Sequence, residues 1–325
     1  MTSNAKKRAW GLFLCFLFCF SLRTDIYCLD KKSSSALSHY IMGVMYEDLG
    51  EIDKAIQEYK KAIGFDSQVV LMHLSLAANY LKKNQAAQAI DELKTAILLD
   101  PDSVEPHAIL ALIYTSQNKG ELASQEYETA LKNASKLDPG NINIYKGLGA
   151  VYLKQKKTKE AESTFKLILD LSPGDADAHF FLGGIYNEEN KSALAEKELK
   201  RAIELKPDYA EALNFLGYLY VESNRNLDKA EGMIRKALEK DKDNGAYIDS
   251  LGWLYFQKGK IKEALKELER AKTLIEDPVV YEHLGEAYLK LKDIDNARLN
   301  WEKSLKLDPK QEKVRKKLEN LKNKR

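Results

Sequence analysis

Two periods are nested in the hydrophobic pattern of this chain. The short one is helical. Apolar residues return every three or four positions over stretches of about 13 residues, which predicts one-sided helices. The long one is close to 34 residues. Tyrosine recurs at Tyr46, Tyr80, Tyr114, Tyr152, Tyr186, Tyr220, Tyr255 and Tyr288, with spacings of 34, 34, 38, 34, 34, 35 and 33. Three residues before each stands glycine or alanine (Gly43, Ala77, Ala111, Gly149, Gly183, Gly217, Gly252, Gly285), preceded by Met42 or by a leucine. Nine or ten residues after each tyrosine comes an alanine, from Ala55 to Ala297. Seven further on lies Ala62, Ala96, Ala130, Ile168, Ala202, Ala237, Ala271 or Ser304.

Each unit therefore predicts two amphipathic helices. The small residues mark where the pair crosses closely, and the tyrosine and leucine fill the space between neighbouring hairpins. Pro101, Pro139, Pro173, Pro207 and Pro309 end most units, because the residue before proline avoids the helical region. The first and sixth units carry Ser67 and Lys242 there, and the seventh closes late, at Pro278. Four extra residues near Asn133–Lys136 lengthen the third unit's second helix or the turn after it. One hairpin cannot bury its apolar face, whereas eight stacked hairpins bury a continuous core. Val314, Leu318 and Leu321 share one face of the last segment, as expected of a helix that caps the stack.

These landmarks resemble the tetratricopeptide repeat (TPR) family over residues 36–309, as eight repeats. The resemblance implies an all-α, right-handed superhelical solenoid of helix-turn-helix units, with residues 310–325 as a capping helix. A narrower likeness covers roughly residues 210–309. It rests on the run from Asn244 to Trp253, Asp277-Pro278, His283-Leu284-Gly285-Glu286 and Trp301, with Asn214 to Tyr218 and Asn226 to Ala230 before it. This part resembles bacterial envelope TPR proteins, many of them outer-membrane lipoproteins, one group of which docks carboxyl-terminal processing proteases. It implies a non-enzymatic scaffold that holds a peptide or partner protein, such as an envelope protease. A structural adaptor joining an envelope assembly through its edges or convex face is the alternative.

In this family the concave surface is lined by positions 2, 5, 9, 12 and 13 of each first helix. On this chain those positions give an aromatic strip of Phe180, Tyr218, Trp253 and Phe256. Asn187 and Asn214 lie beside it, with Asp249 and other carboxylates around it. These are the candidate partner-binding residues. The peptide-carboxylate clamp of some TPR proteins needs Lys and Asn at positions 5 and 9. Lys146 meets the first requirement but Ala150 follows it, so that clamp is not expected. The expected ligand is an apolar or amphipathic segment with basic residues.

Charge and composition narrow the classes further. The 325 residues carry 51 basic and 49 acidic side chains, a net charge of +2, which excludes nucleic-acid binding by bulk charge. His39, His73, His107 and His179 share the fourth repeat position and His283 sits at the sixth, so a structural role is expected rather than a metal or catalytic one. Gly147 and Gly149 are repeat positions within a helix and form no nucleotide loop. No catalytic residues, metal site or cofactor are predicted.

Residues 1–21 read as an export signal or membrane anchor, and 22–35 as a linker. Lys6, Lys7 and Arg8 precede a 14-residue apolar run, Ala9 to Leu22. That run is short for a span of about 17–25 residues. The expected location is the periplasm, with membrane contact only through the amino terminus. Cys19 and Cys28 are candidate lipidation positions. The three cysteines all lie within the first 28 residues, so a disulfide scaffold and a structural zinc domain are excluded.

Overall fold

The computed structural model describes residues 31–322. The expected leader, Cys19 and Cys28 lie outside the described residues. The described chain holds 17 helices and no strand. No described helix is long and apolar enough to cross a membrane. The chain divides into two compact units, residues 1–133 and 134–325.

In the first unit α1 (Lys31–Asp48) pairs with α2 (Ile52–Phe65) and α3 (Val70–Lys82) with α4 (Ala86–Leu99). They are followed by α5 (Val104–Ser116) and α6 (Gly120–Leu137), within whose last turn the boundary at residue 133 falls. In the second unit α7 (Ile142–Lys154) pairs with α8 (Thr158–Leu171), α9 (Ala176–Glu188) with α10 (Ser192–Leu205) and α11 (Ala210–Glu222) with α12 (Leu227–Lys240). The hairpins α13 (Gly245–Gln257) with α14 (Ile261–Leu274) and α15 (Pro278–Lys290) with α16 (Ile294–Leu307) follow, and α17 (Glu312–Lys322) packs on α16.

The small residue at position 8 meets a large one on the second helix. A Cβ on Gly252 would lie 2.7 Å from Leu268 Cγ, and one on Gly217 would lie 2.9 Å from Ile234 Cγ1. The landmark alanines Ala55, Ala89, Ala161, Ala195, Ala230, Ala264 and Ala297 are fully buried. Each hairpin turns through a left-handed residue at position 15: Gly50, Asn84, Asn118, Lys156, Asn190, Asn224, Gly259 and Lys292. The next amide donates to the carbonyl of the landmark tyrosine, as Gln85 N does to Tyr80 O at 2.9 Å and Lys191 N to Tyr186 O at 2.8 Å. This backward bond satisfies a carbonyl left open at the helix end.

Two boundaries differ from expectation, and at a third the structure selects one of two expected outcomes. Helix α1 starts at Lys31, so the last residues of the presumed linker are helical. The four extra residues of the third repeat lengthen a helix, since α6 has 18 residues where α8 has 14. Pro278 does not close the seventh repeat. It sits in the first turn of α15, where its missing N–H is no loss, and Asp277 Oδ1 caps that turn by accepting from Val279 N at 2.8 Å.

Candidate partner-binding face

Most of the candidate residues lie on the first helices of the second unit. Tyr218 is on α11, and Trp253 and Phe256 are on α13. Trp253 is half-buried. Its ring stacks on Phe256 at 4.6 Å and 10°, and on His283 of α15 at 4.1 Å and 9°. Its Nε1 donates to Glu222 Oε1 at 2.6 Å. The Tyr218 ring centre lies 6.4 Å from that of His283. One surface therefore gathers Tyr218, Glu222, Trp253 and Phe256 from α11 and α13, and the buried His283 of α15 backs the Trp253 ring from beneath.

Asp249 departs from expectation. It is 5% exposed and faces inward, where both its oxygens lie within reach of His283 Nδ1, at 2.9 and 3.1 Å. The two residues are 34 apart, one repeat, so the pair bolts α13 to α15. Burial pushes the His283 imidazolium toward deprotonation. The Asp249 charge and hydrogen bond, with Glu222 and Glu282, outweigh that and hold the pKa above the ordinary value. Asp249 thus supports the floor of the face and is not offered to a ligand. His283 was not among the sequence candidates. Its partner and its aromatic neighbours lie on other helices, so only the repeat register could have placed it there. Burial and the neighbouring Glu222 and Asp249 charges push the Tyr218 phenol upward, so its OH stays protonated.

Phe180 is not part of this surface. It packs against Phe181, Tyr209 and Phe215, at ring distances of 5.4, 5.1 and 6.3 Å, as filling between hairpins. Asn187 and Tyr218 line a cavity of about 320 Å³ together with Glu222, Ser223 and Arg225. Asn214 Oδ1 is shielded from solvent and accepts no hydrogen bond. Lys146, the one clamp-like lysine, is held by Asp175 and Asp177, each at 2.8 Å. Burial lowers its pKa and the two carboxylates raise it, with a net rise.

The face is acidic. Glu188, Glu211 and Glu222 form no ion pair among the described residues, and Glu188, Glu211 and Glu222 are all exposed. Toward the carboxyl end Lys317 of α17 neutralises Glu282 at 2.8 Å and Glu286 at 2.5 Å.

The other histidines have a common structural task. Nδ1 of His39, His73, His107 and His179 meets a carboxylate 19 residues on, Glu58, Glu92, Glu126 and Glu198, at 2.6 to 2.7 Å. Each pair ties a first helix to its own second helix. Among the described residues no cluster of His, Cys, Asp and Glu could hold a metal ion.

Family models described as tetratricopeptide repeat match residues 36–69, 74–142, 121–180, 186–247, 247–278 and 278–311. No curated protein matches the sequence. Among solved structures, a tetratricopeptide repeat protein from Parabacteroides merdae superposes with a TM-score of 0.58 at 19% identity, over 78% of this chain and 98% of that one. The Cut9-Hcn1 hetero-tetramer of the APC/C gives 0.55 at 17% identity, over 88% of this chain and 69% of the other. At these identities the likeness speaks for the fold alone. The family models, the repeated register and the hairpin geometry agree that this chain belongs to the tetratricopeptide repeat family.

Proposed function

We propose that the chain is a non-enzymatic scaffold of the bacterial envelope, and that the first-helix face of α9, α11 and α13 holds an amphipathic, basic peptide segment of a partner protein. The observation that carries this reading is the Trp253–Phe256 stack with Tyr218 beside it, flanked by Glu188, Glu211 and Glu222, which are exposed and in no ion pair among the described residues. Trp253, its ring stacked on Phe256 and His283, offers its exposed edge together with Phe256 and Tyr218 to the apolar side of a segment. Carboxylates without cations take its Lys or Arg side chains. An exported protease is one partner that fits, and the basic start with its apolar run supports export.

Affinity capture of the exported chain from envelope extract, with partners identified by mass spectrometry, supplies the ligand. Trp253→Ala, Tyr218→Ala and Phe256→Ala are then compared with the parent for binding, after circular dichroism has shown that each folds. Aromatic anchors cost about 2 kcal/mol or more on truncation. Three folded variants that bind like the parent would sink the groove. An intact amino terminus found in the cytosol would sink the envelope. The second reading, an adaptor that works through its edges, draws on Leu37, Ile41 and Met45 of α1, all exposed.

A further inference from the structure

The register that builds each core also shows where one is unfinished. At position 10 of the seven later first helices stand Asn79, Ile113, Ile185, Leu254 and Ala287, which are buried, and Val151 and Leu219, which are half-buried. Asn79 Nδ2 donates to Glu47 of the preceding hairpin at 2.8 Å, and Leu254 packs in one cluster with Leu216 and Tyr220 of the hairpin before it. In α1 that position is Met45, and it is 58% exposed. Ile41 is 50% exposed, Leu37 43% and Leu49 70%. Leu37, Ile41 and Met45, spaced by four on α1, form an apolar ridge that Leu49 extends in the turn just after the helix, about 18 Å in all at 1.5 Å per residue. Terminal repeats of soluble arrays carry a polar outer face. At the carboxyl end α17 supplies it, turning Val314, Leu318 and Leu321 inward. The amino-terminal edge has no such face among the described residues.

We propose that this ridge is covered by the same ridge of a second copy, the two α1 helices lying antiparallel across a two-fold axis near Gly43. The ridge is self-complementary in that arrangement, with Leu37 opposite the partner copy's fourth ridge position and Ile41 opposite its third. Rows at four-residue spacing on both helices interdigitate in the commonest helix-packing geometry. Charge agrees. Lys31 and Lys32 stand at one end of α1 and Asp48 at the other, all exposed and in no ion pair among the described residues. Antiparallel pairing brings the basic end of each helix toward the acidic end of the other, whereas parallel pairing stacks like charges. The pairing uses a surface distinct from the peptide face and does not depend on it.

Sedimentation equilibrium of the exported chain tests this, over a concentration series reaching ~100 µM. The expected result is twice the monomer mass. Ile41→Asp and Met45→Asp should each weaken association on the order of 100-fold, because an aspartate would be buried unpaired at the contact. Both sites are exposed in the monomer, so the helical circular dichroism of each variant should match the parent. Lys31→Glu with Lys32→Glu should weaken the dimer, and mixing that variant with Asp48→Lys should restore association as a heterodimer. A parent that stays monomeric over the series overturns the proposal. So does a dimer that survives Met45→Asp. A monomer that dimerises only when residues up to 30 are deleted would show the cover to be intramolecular. Vesicle binding by a monomer, lost on Ile41→Asp, would show it to be lipid; either result also overturns the proposal.

Discussion

Gly252 on α13 gives the sharpest test of the packing. A Cβ there would lie 2.7 Å from Leu268 Cγ and 3.2 Å from the Leu268 backbone nitrogen. Leu268 is fully buried, so its side chain has nowhere to go, and the nearby backbone means that the two helices must separate. Gly252→Ala gains about 1 kcal/mol of helix propensity. Overpacking takes back about 1–3 kcal/mol, and the backbone contact favours the upper part of that range. The expected net effect is a loss of about 1–2 kcal/mol. Gly232 on α12 is the control. A Cβ on it meets nothing within 4 Å, so Gly232→Ala should stabilise by about 1 kcal/mol. Leu268→Ala alone should cost about 2–5 kcal/mol through its cavity. Joined with Gly252→Ala it relieves the clash, so the double variant should lose about 1–3 kcal/mol less than the sum. The assay is guanidinium unfolding followed by tryptophan fluorescence and circular dichroism, read as midpoint and slope. If Gly252→Ala stabilises as Gly232→Ala does, or if the double variant is additive, the small-against-large register is wrong.

The remaining predictions concern charge and the face. His283 has a raised folded pKa, so the stability it contributes is fully present below its unfolded value near 6.5 and is lost as pH rises through the folded value. The stability gap between the parent and His283→Gln should therefore shrink on going from acid to alkaline pH, and a gap independent of pH counts against the Asp249 pair. Glu196 is held down to about 2, first by its hydrogen bond to Lys200, against the opposing effect of burial, and then by Tyr220 and Arg225. Its contribution is present above the unfolded value near 4.5 and fades as pH falls toward 2, so Glu196→Gln should flatten the acid limb of a stability profile. Val314→Asp should expose the last hairpin by undocking α17, seen as earlier loss of hydrogen-exchange protection in α16 than in α12.

The repeat was legible because its landmarks are forced by close contact. A glycine or alanine at position 8 is needed wherever a second-helix side chain such as Leu268 or Ile234 reaches the first helix. The hairpin turn left a signal that went unread: four residues after the tyrosine stand Gly50, Asn84, Asn118, Asn190, Asn224 and Gly259, all with positive φ. Lys156 and Lys292 take the same conformation with no favoured residue, because the surrounding hairpin imposes it. The face was legible only in part. Position counting brings Tyr218, Trp253 and Phe256 onto one side of successive helices. It cannot tell that Tyr209 and Phe215 would draw Phe180 into the packing, or that Asp249 would turn inward to a histidine one repeat later. Those outcomes depend on which neighbours fill the gap between hairpins, and helical periodicity carries no information about that.

The claim that matters most is that a partner segment lies on the first-helix face of the second unit. Site-specific photo-cross-linking tests it most directly. A photoreactive amino acid is placed at Glu211 on the first-helix face of α11, and in a second chain at Lys229 on α12. Both residues are exposed, so neither replacement disturbs the core. After illumination in the envelope, the account predicts a partner adduct from position 211 and none from 229, with the attached peptide rich in basic and apolar residues. An adduct from 229 with none from 211 would contradict it.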